Sequence, residues 1–158
     1  MSAVDGHEAV ESMTVWSSTV HRDVVEELLR LRRRRNDLHP GAILDVSAFH
    51  ILWVLCEGGP RTLRQLSEEL ELEQSTVNRQ VNAALKHGYV ERYDVAGQAS
   101  RMHRATASGR EAFAHDGMAR VERLQGVFDD LAPGEPEELL AQLRAFNDAY
   151  ERQVGREG

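Results

Sequence analysis

The chain has one cysteine, Cys56, so no internal disulfide can form, and a reducing compartment is the simplest expectation. It has no long apolar run. The longest, from Phe49 to Cys56, is interrupted by His50 and falls well short of the ~20 residues a membrane-spanning helix needs. Residues 1–11 carry acids and no basic-then-apolar pattern, which predicts no signal peptide and a cytoplasmic, non-membrane protein. No internal repeat or low-complexity tract is present. A phosphate loop, a nucleophile elbow and a paired metal-ligand motif are also missing, so neither enzyme chemistry nor a cofactor is expected. None of the seven His stands at i, i+4 from another, and none neighbours Cys56, which argues against a metal site.

Positive charge is also scarce overall. The 158 residues carry a net charge of −7, which at first sight disfavours a polyanionic partner. Its distribution is uneven. Between Gln74 and Arg104 the bases Arg79, Lys86, Arg92, Arg101 and Arg104 outnumber the acids Glu91 and Asp94. From Glu111 onward, eleven acids face five arginines. A locally basic segment beside an acidic C-terminal third suits a protein that presents one face to phosphate.

Hydrophobic spacing divides the chain into helices and one hairpin. Val10, Met13, Val20, Val24, Leu28 and Leu31 recur at helical intervals and predict a long helix over 8–35, closed by Arg32 to Arg35. Pro and Gly within 36–41 predict a loop. A helix over 47–57, apolar almost all round, should be buried on most sides. Thr62 followed by Gln65 is a capping-box pattern for a short helix ending near Leu70. Another helix spans 74–87, with Val77, Val81, Ala84 and Leu85 inward and Gly88 at its C-terminal stop. Residues 89–93 and 101–106 read as a β-hairpin around a turn at Gly97. Helices over 109–131 and 136–154 carry Val121, Leu124, Phe128 and Leu131, and Leu139, Leu143, Phe146 and Tyr150, at seam spacing. These end helices exceed what the small central module needs for a core, which favours an intermolecular seam and a homodimer over intramolecular packing alone.

The predicted architecture is therefore mostly α with a small β-hairpin wing: a winged helix-turn-helix over 45–107, a dimerisation helix and loop over 8–40, and dimerisation helices over 109–154. In such a module the second helix enters the major groove and the wing can reach the minor groove of double-stranded DNA. The outer face of 74–87 carries Gln74, Ser75, Thr76, Asn78, Arg79, Asn82 and Lys86. Arg can donate bidentately to guanine, and Asn or Gln can pair bidentately with adenine, donating to N7 and accepting from N6, while hydroxyls reach phosphates. The plainer alternative is a solvated polar face, and the order of the neighbouring elements weighs against it.

Several stretches together resemble the MarR family of bacterial regulators. They are Asp45-Val46-Ser47-Ala48-Phe49-His50-Ile51-Leu52, Thr62 to Leu70, Gln74 to Val81, His87-Gly88-Tyr89-Val90-Glu91-Arg92, and Thr106-Ala107-Ser108-Gly109. The resemblance implies a homodimer whose terminal helices pair, binding to palindromic operators, usually as a repressor, and often release by a small ligand. The family's usual Asp-x-Arg near the wing tip is missing, because the matching positions hold Gly97, Gln98 and Ala99. Either Arg101 takes over the minor-groove contact or the wing contributes less. Arg104, three residues further along the strand, should face the other way.

The resemblance also implies an effector pocket for a small aromatic or phenolic ligand, for which Trp16, His21, Trp53 and His103 are the candidates. The plainer reading, that the two Trp are simply core, is favoured for each. Cys56, in the most apolar helix, reads as packing rather than as a redox sensor. A winged-helix dimer that acts through protein contacts, without operator DNA, is the competing function.

Overall fold

The computed structural model describes residues 18–34 and 40–157. The chain divides into two compact units, 1–37 and 38–158. Within the first unit, helix α1 spans Thr19–Arg34 and carries Val20, Val24, Leu28 and Leu31 exposed along one side. Val10, Met13, Trp16 and Arg35, which the sequence assigns to the same helix, lie outside the described residues.

The second unit is built on helix α2, Val46–Glu57. Asp45 caps it, its carboxylate accepting from the Ala48 N–H at 2.8 Å. Phe49, Ile51, Leu52, Val54 and Leu55 are buried, so α2 is the central rod of the core, as its all-round apolarity predicts. It stops at Gly58. There Arg61 folds back to donate to the Gly58, Gly59 and Pro60 carbonyls and to pair with Glu69.

A two-residue strand, β1, Arg61–Thr62, leads directly into α3, Leu63–Leu70. Thr62 and Gln65 close the capping box at 2.9 and 3.2 Å. The helix ends in a left-handed residue, Glu71 (φ 52°), and the turn delivers α4, Gln74–Lys86. Gly88 (φ 74°) then redirects the chain into the wing, in a conformation that favours glycine.

Strands β2, Val90–Tyr93, and β3, Met102–Ala105, pair antiparallel with Val90 opposite Ala105 and Tyr93 opposite Met102. β1 adds to the other edge of β3, giving the order β1-β3-β2. The third strand is new relative to the sequence reading, since two residues carry no alternation to detect.

Helix α5, Ala107–Asp129, starts two residues earlier than its hydrophobic pattern suggests, because Thr106 is its cap. The Thr106 hydroxyl accepts from Gly109 N–H at 3.0 Å and donates to the Gly88 carbonyl at 2.6 Å. Gly109 has no room for a side chain. A Cβ there would lie 2.0 Å from the Tyr89 carbonyl oxygen. The Thr-x-x-Gly motif thus welds the hairpin to α5. Helix α6, Glu135–Glu157, completes the chain after the positive-φ turn at Gly134. No helix among the described residues is long and apolar enough to cross a membrane.

Asp116 of α5 is 1% exposed. Its two carboxylate oxygens accept from the Ile43 and Leu44 N–H groups at 3.0 and 2.9 Å, and His115 Nδ1 lies 3.0 Å away. It anchors the segment that enters α2. Burial pushes its carboxyl up, but these hydrogen bonds outweigh that and hold it below the ordinary carboxylate range. Asp116→Asn, which sets an amide against two N–H donors, is expected to cost roughly 2–3 kcal/mol in urea unfolding at pH 7. Because the folded-state value is depressed, this stabilisation is complete above about pH 4 and is lost as pH falls through the folded value. The gap between wild type and variant should therefore close in acid. A gap that persists there would assign Asp116 a purely steric role.

Candidate nucleic-acid interface

Helix α4 is docked by one stripe. Val77, Val81 and Ala84 are buried among Leu52, Leu55 and Leu66, with Leu85 partly covered. At about 100° per residue, the opposite side of the helix carries Ser75, Arg79, Asn82 and Lys86, all exposed. Asn78 and Gln74 sit on the flank toward the wing, also exposed, while Thr76 is half-buried on the other flank. Asn82 donates to Asn78 at 3.2 Å, one turn apart, which aligns two amide side chains along the surface. The seven polar residues singled out on this helix therefore occupy one continuous outer surface.

Two hollows flank α4. A cavity of about 230 Å³ lies toward the start of α2, between Asp45 and Ser47 on one wall and Arg79, Gln80 and His87 on the other. A groove of about 400 Å³ lies toward the wing, between Gln74 and Asn78 on α4 and Arg92, Arg101 and His103 on the hairpin.

The wing sorts its charges by strand parity. Glu91 and Arg104 are ladder partners on its outer face, joined at 2.6 Å, and Arg104 also lies 4.7 Å over the Tyr93 ring. Arg92 and His103 are partners on the other face, the one turned toward the groove. Continuing the register one step past Tyr93 and Met102 sets Asp94 opposite Arg101, and the two form an ion pair at 3.3 Å. The wing thus has an Asp–Arg pair after all. It is made across the hairpin rather than within one short motif, whose matching positions hold Gly97, Gln98 and Ala99.

The effector candidates occupy different settings. Trp16 lies outside the described residues. His21 is exposed on α1. Trp53 is 56% exposed, with its ring at 6.0 Å edge-on to Phe113 and 6.4 Å from Phe49. Arg120 stacks over Phe49 at 3.8 Å, an element of this aromatic cluster that the sequence did not single out. His103 is buried under the wing and donates through Nδ1 to the Arg61 carbonyl at 3.4 Å. Burial, reinforced by the charge of Arg92, pulls its imidazole below the ordinary value despite that hydrogen bond. Cys56 is half-buried, and burial raises its thiol, as expected for a packing residue.

The sequence of α2, α3, a tight turn, α4 and a hairpin defines a winged helix-turn-helix, the DNA-binding module of many transcription regulators. Residues 44–99 match the model of the MarR family. Solved structures share the fold. RV1404 from Mycobacterium tuberculosis superposes with a TM-score of 0.68 at 21% identity, covering 86% of this chain and 95% of its own. A mutant MarR from E. coli complexed with operator DNA gives 0.65 at 16%, covering 80% and 92%. BpsR of Bordetella bronchiseptica, whose DNA binding is described as regulated by 6-hydroxynicotinic acid, gives 0.67 at 18%, covering 79% and 98%. No curated protein matches the chain significantly.

The two sides of α4 should respond oppositely to truncation. Val77→Ala, at a fully buried position, is expected to cost roughly 2 kcal/mol in urea unfolding. Asn82→Ala, on the outer side, should stay within about 0.5 kcal/mol of wild type. Equal losses would mean that α4 is rotated from the orientation described.

Proposed function

We propose that this chain is a transcriptional regulator that binds double-stranded DNA as a homodimer. It places α4 in the major groove and the wing against the minor groove, and acts as a repressor at a palindromic operator. The observation that carries the reading is the outer surface of α4. Ser75, Arg79, Asn82 and Lys86 are exposed, bear no acid among them, and are backed by a rigid apolar core. Arg79 is the guanine reader, Asn78 and Asn82 the adenine readers, and Lys86, the chain's only lysine, a phosphate contact.

Pairing is supported by α5 and α6. Val121, Leu124, Val127, Leu139, Leu143, Phe146, Tyr150 and Val154 are exposed in the single chain, and large apolar side chains exposed in such numbers along two helices favour an interaction surface. A two-fold partner covers it and repeats the reading helix one helical turn away along the duplex. Release by a small aromatic ligand is part of the reading. The half-exposed Trp53 offers it a stacking surface.

Operator affinity measured on a duplex recovered by in vitro selection should fall steeply with salt. Arg79→Ala should lose about 1–3 kcal/mol on that duplex and relax its specificity. Lys86→Ala should weaken all duplexes alike. Unchanged operator affinity in Arg79→Ala would remove α4 as the reader. Absence of salt-dependent binding in the wild type would instead favour a dimer acting through protein contacts.

Leu143→Glu tests the pairing separately. Sedimentation should show a folded monomer that has lost tight operator binding, whereas a wild-type protein that sediments as a monomer at micromolar concentration would refute the dimer.

A further inference from the structure

We infer that the groove between α4 and the wing seats a phosphodiester of the DNA strand that crosses from the major to the minor groove, with Arg92 as its central cation. This rests on the DNA-binding reading above and adds a site to it. When a helix occupies the major groove and its hairpin the adjacent minor groove, the sugar–phosphate strand separating those grooves must run between them. In this chain the space between α4 and the wing is the groove of about 400 Å³. It is lined by Arg64, Arg92 and Arg101, with Asn78 and Ser100 as neutral donors, and no acidic side chain lines it.

The three cations are not equally free. Arg64 is paired with Glu68 at 2.8 Å and Arg101 with Asp94 at 3.3 Å, neither acid being among the groove's lining residues. Both pairs are exposed, and such pairs are weak enough to yield to phosphate. Arg92 is exposed and has no ion pair among the described residues. Strand parity turns it to the groove side, beside its ladder partner His103. Arg104, one residue further on, faces away and is held by Glu91 and Tyr93. The hairpin thus supplies its own control, two exposed arginines with only one on the groove side.

The test uses the full chain, the selected operator and a scrambled duplex, with affinities measured from 50 to 200 mM salt. Arg92→Gln should weaken both duplexes by the same factor, roughly three- to tenfold, and lower the slope of log affinity against log salt by about 0.9 per protomer. Arg92→Lys should keep the slope, and Arg104→Gln should leave it unchanged. A wild-type slope retained in Arg92→Gln overturns the inference while leaving operator binding intact. A wild type with no salt-dependent binding sinks the functional reading itself. A thermal shift of wild type by inorganic phosphate that Arg92→Gln abolishes, with the DNA slope unaltered, would assign the seat to a free anion and also overturn the inference.

Discussion

The outer surface of α4 is useful only because its inner stripe leaves the helix no rotational freedom. Val77 and Val81 are sunk among Leu52 and Leu55 of α2 and Leu66 of α3, and Ala84 completes the contact with a small side chain. A turn of the helix by one residue would expose a valine and bury an Asn or Arg without a partner, a cost of several kcal/mol. Everything assigned to Arg79, Asn82 and Lys86 depends on that asymmetry. It explains why α2 is apolar almost all round, since it must support α3 and α4 on one side and the sheet and α5 on the others. It also explains why the ends of α3 are so firmly defined, by the Thr62–Gln65 box at one end and the left-handed Glu71 at the other. Slack in either would translate the reading helix.

A net charge of −7 is compatible with a polyanionic partner because the charge is segregated. The acids of α6 begin at its first turn with Glu135, Glu137 and Glu138, where they complement the helix dipole. Arg79 and Lys86 lie instead on α4, and Arg92 and Arg101 on the groove side of the wing. Exposed charges more than about 10 Å apart scarcely feel one another at ordinary salt. An acidic remainder discourages nonspecific adhesion of a polyanion over the rest of the surface.

Helices with a 3.6-residue period and recognisable caps were legible in the sequence. α2, α3 and α4 fall within a residue or two of their patterns, and the buried stripe of α4 matches the residues assigned to it. The features that escaped have a common physical origin, which is that they depend on contacts distant along the chain. β1 is too short to alternate and exists only because β3 has a free edge. Asp116 looks like any polar position of α5 until Ile43 and Leu44 present two N–H groups to it. Arg92 counts among the bases of the 74–104 segment, but which way it faces emerges only from the hairpin register. His103 illustrates the reverse. In sequence it is a free imidazole suited to a ligand, whereas in the fold it packs under the wing, where burial and Arg92 discourage its protonation.

Register also resolves the missing wing motif. The ladder pairs residues symmetrically about the loop, so Asp94 and Arg101 face each other at the first position beyond it, as Tyr93 and Met102 do at the last rung. An Asp and an Arg close together in sequence would brace a wing within one strand, whereas this pair clasps the two strands at the base of the loop. The energy of so exposed a pair is small. Its value is geometric, because it holds Arg101 on the parity of Arg92 and His103, toward α4. Arg104 is engaged by Glu91 on the outer face, whereas Arg101 lies at the neck of the loop on the side that faces α4. The two strand faces therefore divide the labour, one fastening the hairpin to itself and the other facing the reading helix.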